Sequence, residues 1–289
     1  MRQLRRDCAR YPALLQTIPD PPETLYVRGE LDAGAPTLTM VGTRRPTAYG
    51  RRITRRLASE LSRAGVVIVS GLARGIDTEA HRAALRAGGR TWAVLGSGLD
   101  RVYPAENKAL ADEIVAAGGA LLGEIAPGGP PLAHNFPRRN RILSGLSWGT
   151  VVVEGGRRSG TAITARAAIE QGREVFAVPG PADSPMSEGP HHLLRQGACL
   201  VRESGDILAE IPAFSGLRPV RSGAVPPPNA VCYTLEGKKI LQLLGSGEMS
   251  LEELLFRTSW ELPRMAHALT NLESQGIISA LPGQRYGRS

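Results

Sequence analysis

The chain has 289 residues, 42% apolar and 21% charged, with a formal net charge of +8 and a pI near 9.9. That balance suits a soluble protein with one large domain and a smaller one, at about 150 residues per domain. No apolar run approaches the ~18 residues of a membrane helix. The basic N-terminus lacks a secretory h-region, and the cysteines Cys8, Cys199 and Cys232 are far apart with no CxxC. The expected location is therefore the cytoplasm, with no disulfide and no bound metal.

Residues 1–35, with the Pro-punctuated stretch YPALLQTIPDPPETLYVRGEL, read as a lead-in rather than a domain. From residue 36 short apolar runs follow: TLTMVG (37–42), VVIVSG (66–71), TWAVLG (91–96), ALLGE (120–124), TVVVEG (150–155) and VFAVPG (175–180). They are continuous, rich in Val, Ile and Leu, and nearly all end in glycine, the pattern of strands buried on both faces of a parallel sheet. Helical segments at 48–64, 77–87, 105–117, 140–148 and 160–171 alternate with them, which predicts a doubly wound α/β domain over 36–211. Residues 212–230, rich in Pro, Gly and Ser, predict a linker. Residues 231–289 hold three short amphipathic segments and a hairpin, a winged-helix-like pattern, with a Ser250–Glu253 capping box.

In a doubly wound sheet, ligands gather beyond the carboxyl ends of the strands. Three loops on that rim combine glycine with arginine or hydroxyl residues before a helix: Gly42, Thr43, Arg44 and Arg45; Ser70, Gly71 and Arg74; Ser159, Gly160 and Thr161. Such turns present backbone N–H groups to an anion, aided by the helix dipole. Net charge alone decides little, because only three residues are lysine (Lys108, Lys238, Lys239) and arginine-rich composition explains it as readily as function. Clustering is the better test. The stretch NFPRRNRILSG (135–145) gathers Phe136, Arg138, Arg139, Asn140 and Arg141, opening as a loop and turning helical near Asn140. Arginine meets phosphate bidentately and stacks on bases, and an exposed ring stacks on bases too. A core anchor is the alternative role for Phe136. The chain has no P-loop, no complete dinucleotide fingerprint, no HExxH and no GxSxG.

The blocks VGTRRPTAYG, SGLARGIDTEAH, GSGLDRVYP, NFPRRNRILSGLS, VVVEGGRRSGTAITA and VFAVPG occur in this order and strongly resemble the DNA-processing protein A (DprA/Smf) family over residues 10–211. The resemblance implies an extended Rossmann-like domain that binds single-stranded DNA, commonly as a homodimer. It also implies protection of incoming DNA in natural transformation and loading of the RecA recombinase. Carried over by position, it implies a DNA pocket of Gly42, Thr43, Arg44, Ser70, Gly71, Phe136, Arg138, Asn140 and Arg141, with the Gly160 loop beside it. Many members begin with a helical SAM-like region, of which residues 1–35 would be a remnant. The expected protein is not an enzyme, needs no cofactor and holds strands without sequence readout. Two alternatives stay open. EGGRRSGT distantly resembles the PGGxGTxxE motif of nucleoside-monophosphate phosphoribohydrolases but has Thr164 where the glutamate belongs, and a winged helix could instead regulate duplex DNA.

Overall fold

The computed structural model describes residues 1–157, 159–218, 235–245, 247–274, 277–281 and 283–288. They form two compact units, Met1–Ser222 and Gly223–Ser289. In the first unit the chain runs β1 (Arg2–Arg5), α1 (Ala13–Gln16), β2 (Thr24–Gly29), β3 (Thr37–Val41), α2 (Ala48–Arg63), β4 (Val67–Ser70), α3 (Ile76–Arg86), β5 (Thr91–Val94) and α4 (Lys108–Ala116). It continues β6 (Ala120–Gly123), α5 (Asn135–Gly145), β7 (Gly149–Val152), α6 (Gly160–Glu170), β8 (Glu174–Ala177), α7 (Glu188–Arg195), β9 (Cys199–Leu200) and α8 (Ser204–Glu210).

All six apolar runs are strands, and the five central ones (β3 to β7) are buried at every position, as a sheet covered on both faces requires. The order is β1-β2-β6-β5-β4-β3-β7-β8-β9. From β6 to β9 all neighbours are parallel, while β2 joins β6 and β1 joins β2 antiparallel. The chain lays β3 to β6 outward in one direction and then returns to place β7 on the other side of β3. The carboxyl ends of β3 and β7 therefore flank the topological switch point, where a doubly wound sheet leaves a crevice.

Three expectations need correction. Residues 1–35 are not a detached lead-in or a helical remnant, because β1 and β2 extend the main sheet and bury Leu4, Leu25 and Val27. The linker begins later than 212: Pro212–Phe214 forms a 3-10 turn with Phe214 fully buried, and residues 219–230 lie outside those described. Helix α5 starts at Asn135 rather than near Asn140. Pro137 does not prevent this, since it lies in the first turn, where a backbone N–H has no helical partner to lose. At the other end of α5 the carbonyls of Leu143 and Leu146 accept hydrogen bonds from the buried hydroxyls of Thr39 and Thr37 on β3, at 2.7 Å each. This pins α5 over the switch point.

The second unit contains α9 (Leu235–Leu244), β10 (Glu248–Ser250), α10 (Leu251–Thr258), α11 (Leu262–Ser274), β11 (Ile278–Leu281) and β12 (Arg285–Arg288), with sheet order β10-β12-β11. Ile240, Leu254, Met265 and Leu269 form its core. Ser250 accepts from the Glu253 N–H while Glu253 returns a bond to the Ser250 N–H, so the capping box forms as its sequence suggests. Three helices and a small sheet make this unit a winged helix.

Candidate nucleic-acid interface

A cavity of about 860 Å³ opens at the switch point. Its walls are the Gly42–Arg45 loop after β3, Phe136, Arg139 and Asn140 on α5, and Ser159, Gly160 and Thr161 at the start of α6. Ten of the fifteen sequence-predicted positions thus meet in one place. Asp77 and Tyr103 line it as well.

The three loops are not equivalent anion sites. After β3, the Thr43 N–H donates to the Glu154 carbonyl, and Thr47 donates both its N–H (3.0 Å) and its hydroxyl to the Glu154 carboxylate. An internal carboxylate therefore already sits at the start of α2 and answers its dipole. After β4, the N–H groups of Gly71 and Ala73 donate to Asp77 at 3.1 and 3.4 Å, so that nest is filled too. At α6, no acidic residue lies in the first turn and Ser159 makes no side-chain cap, its hydroxyl being paired with that of Thr161. Of the three, the start of α6 is the one to which no carboxylate is hydrogen-bonded among the described residues, and it lines the cavity.

Arg139 belongs to the wall rather than the solvent. Only 6% exposed, it donates to the carbonyls of Gly71 (2.9 Å) and Val94, strapping the ends of β4 and β5 together. Burial pulls its guanidinium down to about 10, against the attraction of Asp77. Burial likewise pushes Asp77 up to about 6, opposed by Arg139 and by the two backbone donors. A side chain at Gly71 would place its Cβ 2.6 Å from Arg139 and 2.7 Å from Asp77, so both groups can crowd this turn only because it is glycine.

Behind them His81 is fully buried, its Nδ1 paired with Thr91 Oγ1 at 2.7 Å and its Nε2 without a partner. Burial first, then the charge of Arg139, holds it down to about 3. A base depressed in the folded state contributes stability that is present above its unfolded pKa and lost as pH falls. Relative to the wild type, His81→Gln is expected to gain about 1.4 kcal/mol per pH unit below 6.5 and down toward 3. Urea unfolding of both proteins at several pH values checks this, and a stability difference independent of pH would refute it.

Phe136 is partly buried against Gly96 and meets Tyr103 with ring centroids 5.4 Å apart and planes tilted by 51°. It is neither a fully buried core anchor nor a free surface ring. Sequence reasoning missed Tyr103, 48% exposed, although the scarcity of aromatics (4%) marks every exposed ring as informative. Arg44 and Arg45 are exposed, line the cavity and have no carboxylate partner among the described residues. Asn140 donates to the Gly160 carbonyl at 3.3 Å and so ties α5 to the open end of α6.

The structure takes five expected contacts out of the cavity. Ser70 is fully buried and donates to the Met40 carbonyl, and Gly71 lies behind Arg139 and Asp77. Arg74 forms a two-pronged pair with Glu106 at 2.7 and 2.8 Å. Arg138 pairs with Glu124 at 3.0 Å, and Arg141, 14% exposed, is spent on Glu124 (2.6 Å) and Asp20 (2.8 Å). Each of these three charges is answered by a carboxylate that the local pattern did not reveal. Among the described residues, one group could gather metal-ligand atoms: Glu174, Cys199 and Glu210, within 4.8 Å of one another. It lies at the opposite strand ends, where burial and the two carboxylates push the thiol up, with a hydrogen bond to Glu210. A thiol kept protonated in this way is a poor metal ligand.

A profile of the DNA recombination-mediator protein A family matches residues 3–212, and one of the DprA winged helix domain matches residues 224–284. Protein Smf of Escherichia coli K12 is 43% identical over 279 residues, covering 96% of this chain and 75% of its own. The DNA processing protein DprA of Bacillus subtilis is 46% identical over 205 residues, covering 70% and 69%. The crystal structure of DNA processing protein A from Streptococcus pneumoniae is similar with a TM-score of 0.69 and 44% identity, over 73% of this chain and 74% of that one. A Helicobacter pylori DNA processing protein A, solved for its single-stranded DNA binding mode, gives 0.63 and 32%, over 68% and 90%.

Proposed function

This chain belongs to the DNA recombination-mediator protein A family, and from that premise we propose that it binds single-stranded DNA in the switch-point cavity without reading its sequence. It acts without catalysis, as a cytoplasmic homodimer that protects incoming strands in natural transformation and helps load the RecA recombinase. One observation carries the reading: a cavity joins Arg44 and Arg45, which have no carboxylate partner among the described residues, to a pair of aromatic rings. Arg44, Arg45 and the start of α6 suit phosphates. Phe136 and Tyr103 suit bases, whose π-faces are common to every sequence. The Helicobacter pylori relative supports the choice of a single strand. A non-catalytic role is favoured because Asp77 and Glu154 are both committed to backbone donors and Thr164 replaces the glutamate of the hydrolase motif.

Fluorescence anisotropy with single-stranded and duplex oligonucleotides of equal length, at several salt concentrations, tests this. Single strands are expected to bind more tightly, with a steep salt dependence. Arg44→Ala should weaken binding to all sequences and flatten the log–log salt slope by about 0.7 per lost phosphate contact. A preference for duplex would overturn the reading in favour of a winged-helix regulator. Turnover of a nucleoside monophosphate would overturn it in favour of an enzyme.

A further inference from the structure

Between Gly42 and Ser59 the chain carries six arginines and no carboxylate. Four of them, Arg51, Arg52, Arg55 and Arg56, sit on α2 as two i,i+4 pairs, and the first turn of that helix has no acidic residue. Like charges at i,i+4 repel. Helix α3, packed against α2, adds Arg82 and Arg86, again one turn apart, with Arg86 close enough to Arg55 to feel its charge. Among the described residues one carboxylate pairs with them. Glu79 of α3 pairs with Arg55 at 2.8 Å and with Arg51 at 3.7 Å, its side chain only 10% exposed. Burial pushes the Glu79 carboxyl up, yet Arg55, Arg51 and Arg86 outweigh it and hold it below the usual range. Burial, Arg55 and Arg82 together hold the Arg86 guanidinium low. Of the remaining nearby groups, Glu60 accepts from Ser204, Arg56 donates to the Arg202 carbonyl, and Arg52 lies over the Tyr49 ring.

Arginine-rich composition alone would scatter these charges. Here they are concentrated where local physics disfavours them, and such a conflict marks a surface that an outside anion completes. The face also follows directly on the cavity wall along the chain. Arg44 and Arg45 line the cavity, Thr47 caps α2 two residues later, and Arg51 to Arg56 follow within about 14 Å of helix at 1.5 Å per residue.

We propose that the arginine face of α2 and α3 is a second contact surface, along which the phosphodiester backbone of a single strand runs after leaving the cavity. This rests on the single-strand reading of the cavity and adds a track outside it. The surface gives the strand a direction from the switch point across the first helix pair, and it makes affinity depend on strand length.

The test compares thymidine oligonucleotides of about 4 and about 16 nucleotides, the ends of the range of single-strand site sizes. The variant carries Arg52→Gln, Arg82→Gln and Arg86→Gln, leaving Arg51 and Arg55 on Glu79. For the longer oligonucleotide the salt slope is expected to fall by about 2, at 0.7 per contact, while binding of the shorter one stays unchanged. Replacing the same three residues with lysine should restore the slope, since the charge returns. If the triple variant is unstable, Arg82→Gln alone, at an exposed position with no ion pair among the described residues, should show about a third of the change. An unchanged slope with the longer strand would overturn the track while leaving the cavity reading intact. Equal losses with both strands would also overturn it, because the arginines would then act through the cavity. Failure of the unmodified protein to bind either strand would overturn both.

Discussion

Replacing Arg139 with alanine is expected to lower the unfolding free energy by about 3–5 kcal/mol, the order of loss when a buried carboxylate is left without the cation that offsets it. The physical reason is what stays behind. Asp77 would remain buried, at 6% exposure, with two backbone donors and no cation. The Gly71 and Val94 carbonyls would lose the guanidinium that joins their strands. Urea denaturation measures the change directly. Arg139→Lys should recover only part of it, because one ammonium keeps the charge but cannot reproduce the planar fork. A loss below about 1 kcal/mol for Arg139→Ala, with DNA affinity reduced instead, would mean that the residue serves the ligand rather than the fold.

The second large effect concerns the rings. Phe136→Ala and Tyr103→Ala are each expected to cost about 1–3 kcal/mol in single-strand affinity, roughly 5- to 150-fold. The salt slope should hardly move, since stacking releases no counterions. An abasic oligonucleotide sharpens the result: the wild type should bind it about as weakly as the double variant binds normal DNA. Phe136 also packs on Gly96, so its removal costs some stability, and melting curves taken alongside separate the two effects. Tyr103 is half exposed and gives the cleaner measurement. Equal affinity of the wild type for normal and abasic strands would exclude base stacking here.

Much of this was legible along the chain. Short apolar runs, nearly all ending in glycine, located every parallel strand from β3 to β8, because burial on both faces leaves a local mark in residue type. The Ser250–Glu253 box marked a helix start because both partners lie within one turn. The Asp77 carboxylate that fills the second nest stands inside SGLARGID itself, four to six residues from the N–H groups it accepts, and a reading of local side chain–backbone bonds could have found it. Tyr103 was visible too, as one ring in an aromatic-poor chain.

What the sequence determined by itself, then, is the α/β alternation, the winged-helix pattern and a rim of glycine, arginine and hydroxyl residues. These rest on signals a few residues long. Only the tertiary structure decided which rim groups are free. Glu154 reaches Thr47 from 107 positions away, Asp20 reaches Arg141 from 121, and Arg139 reaches Gly71 from 68. An arginine or an N–H nest can bind an outside anion only if the fold brings it no anion of its own, and that pairing is settled by strand order. Among the described residues no carboxylate pairs with Arg44, Arg45 or the start of α6, while Glu154 and Asp77 on the same rim are held by Thr47, Gly71 and Ala73.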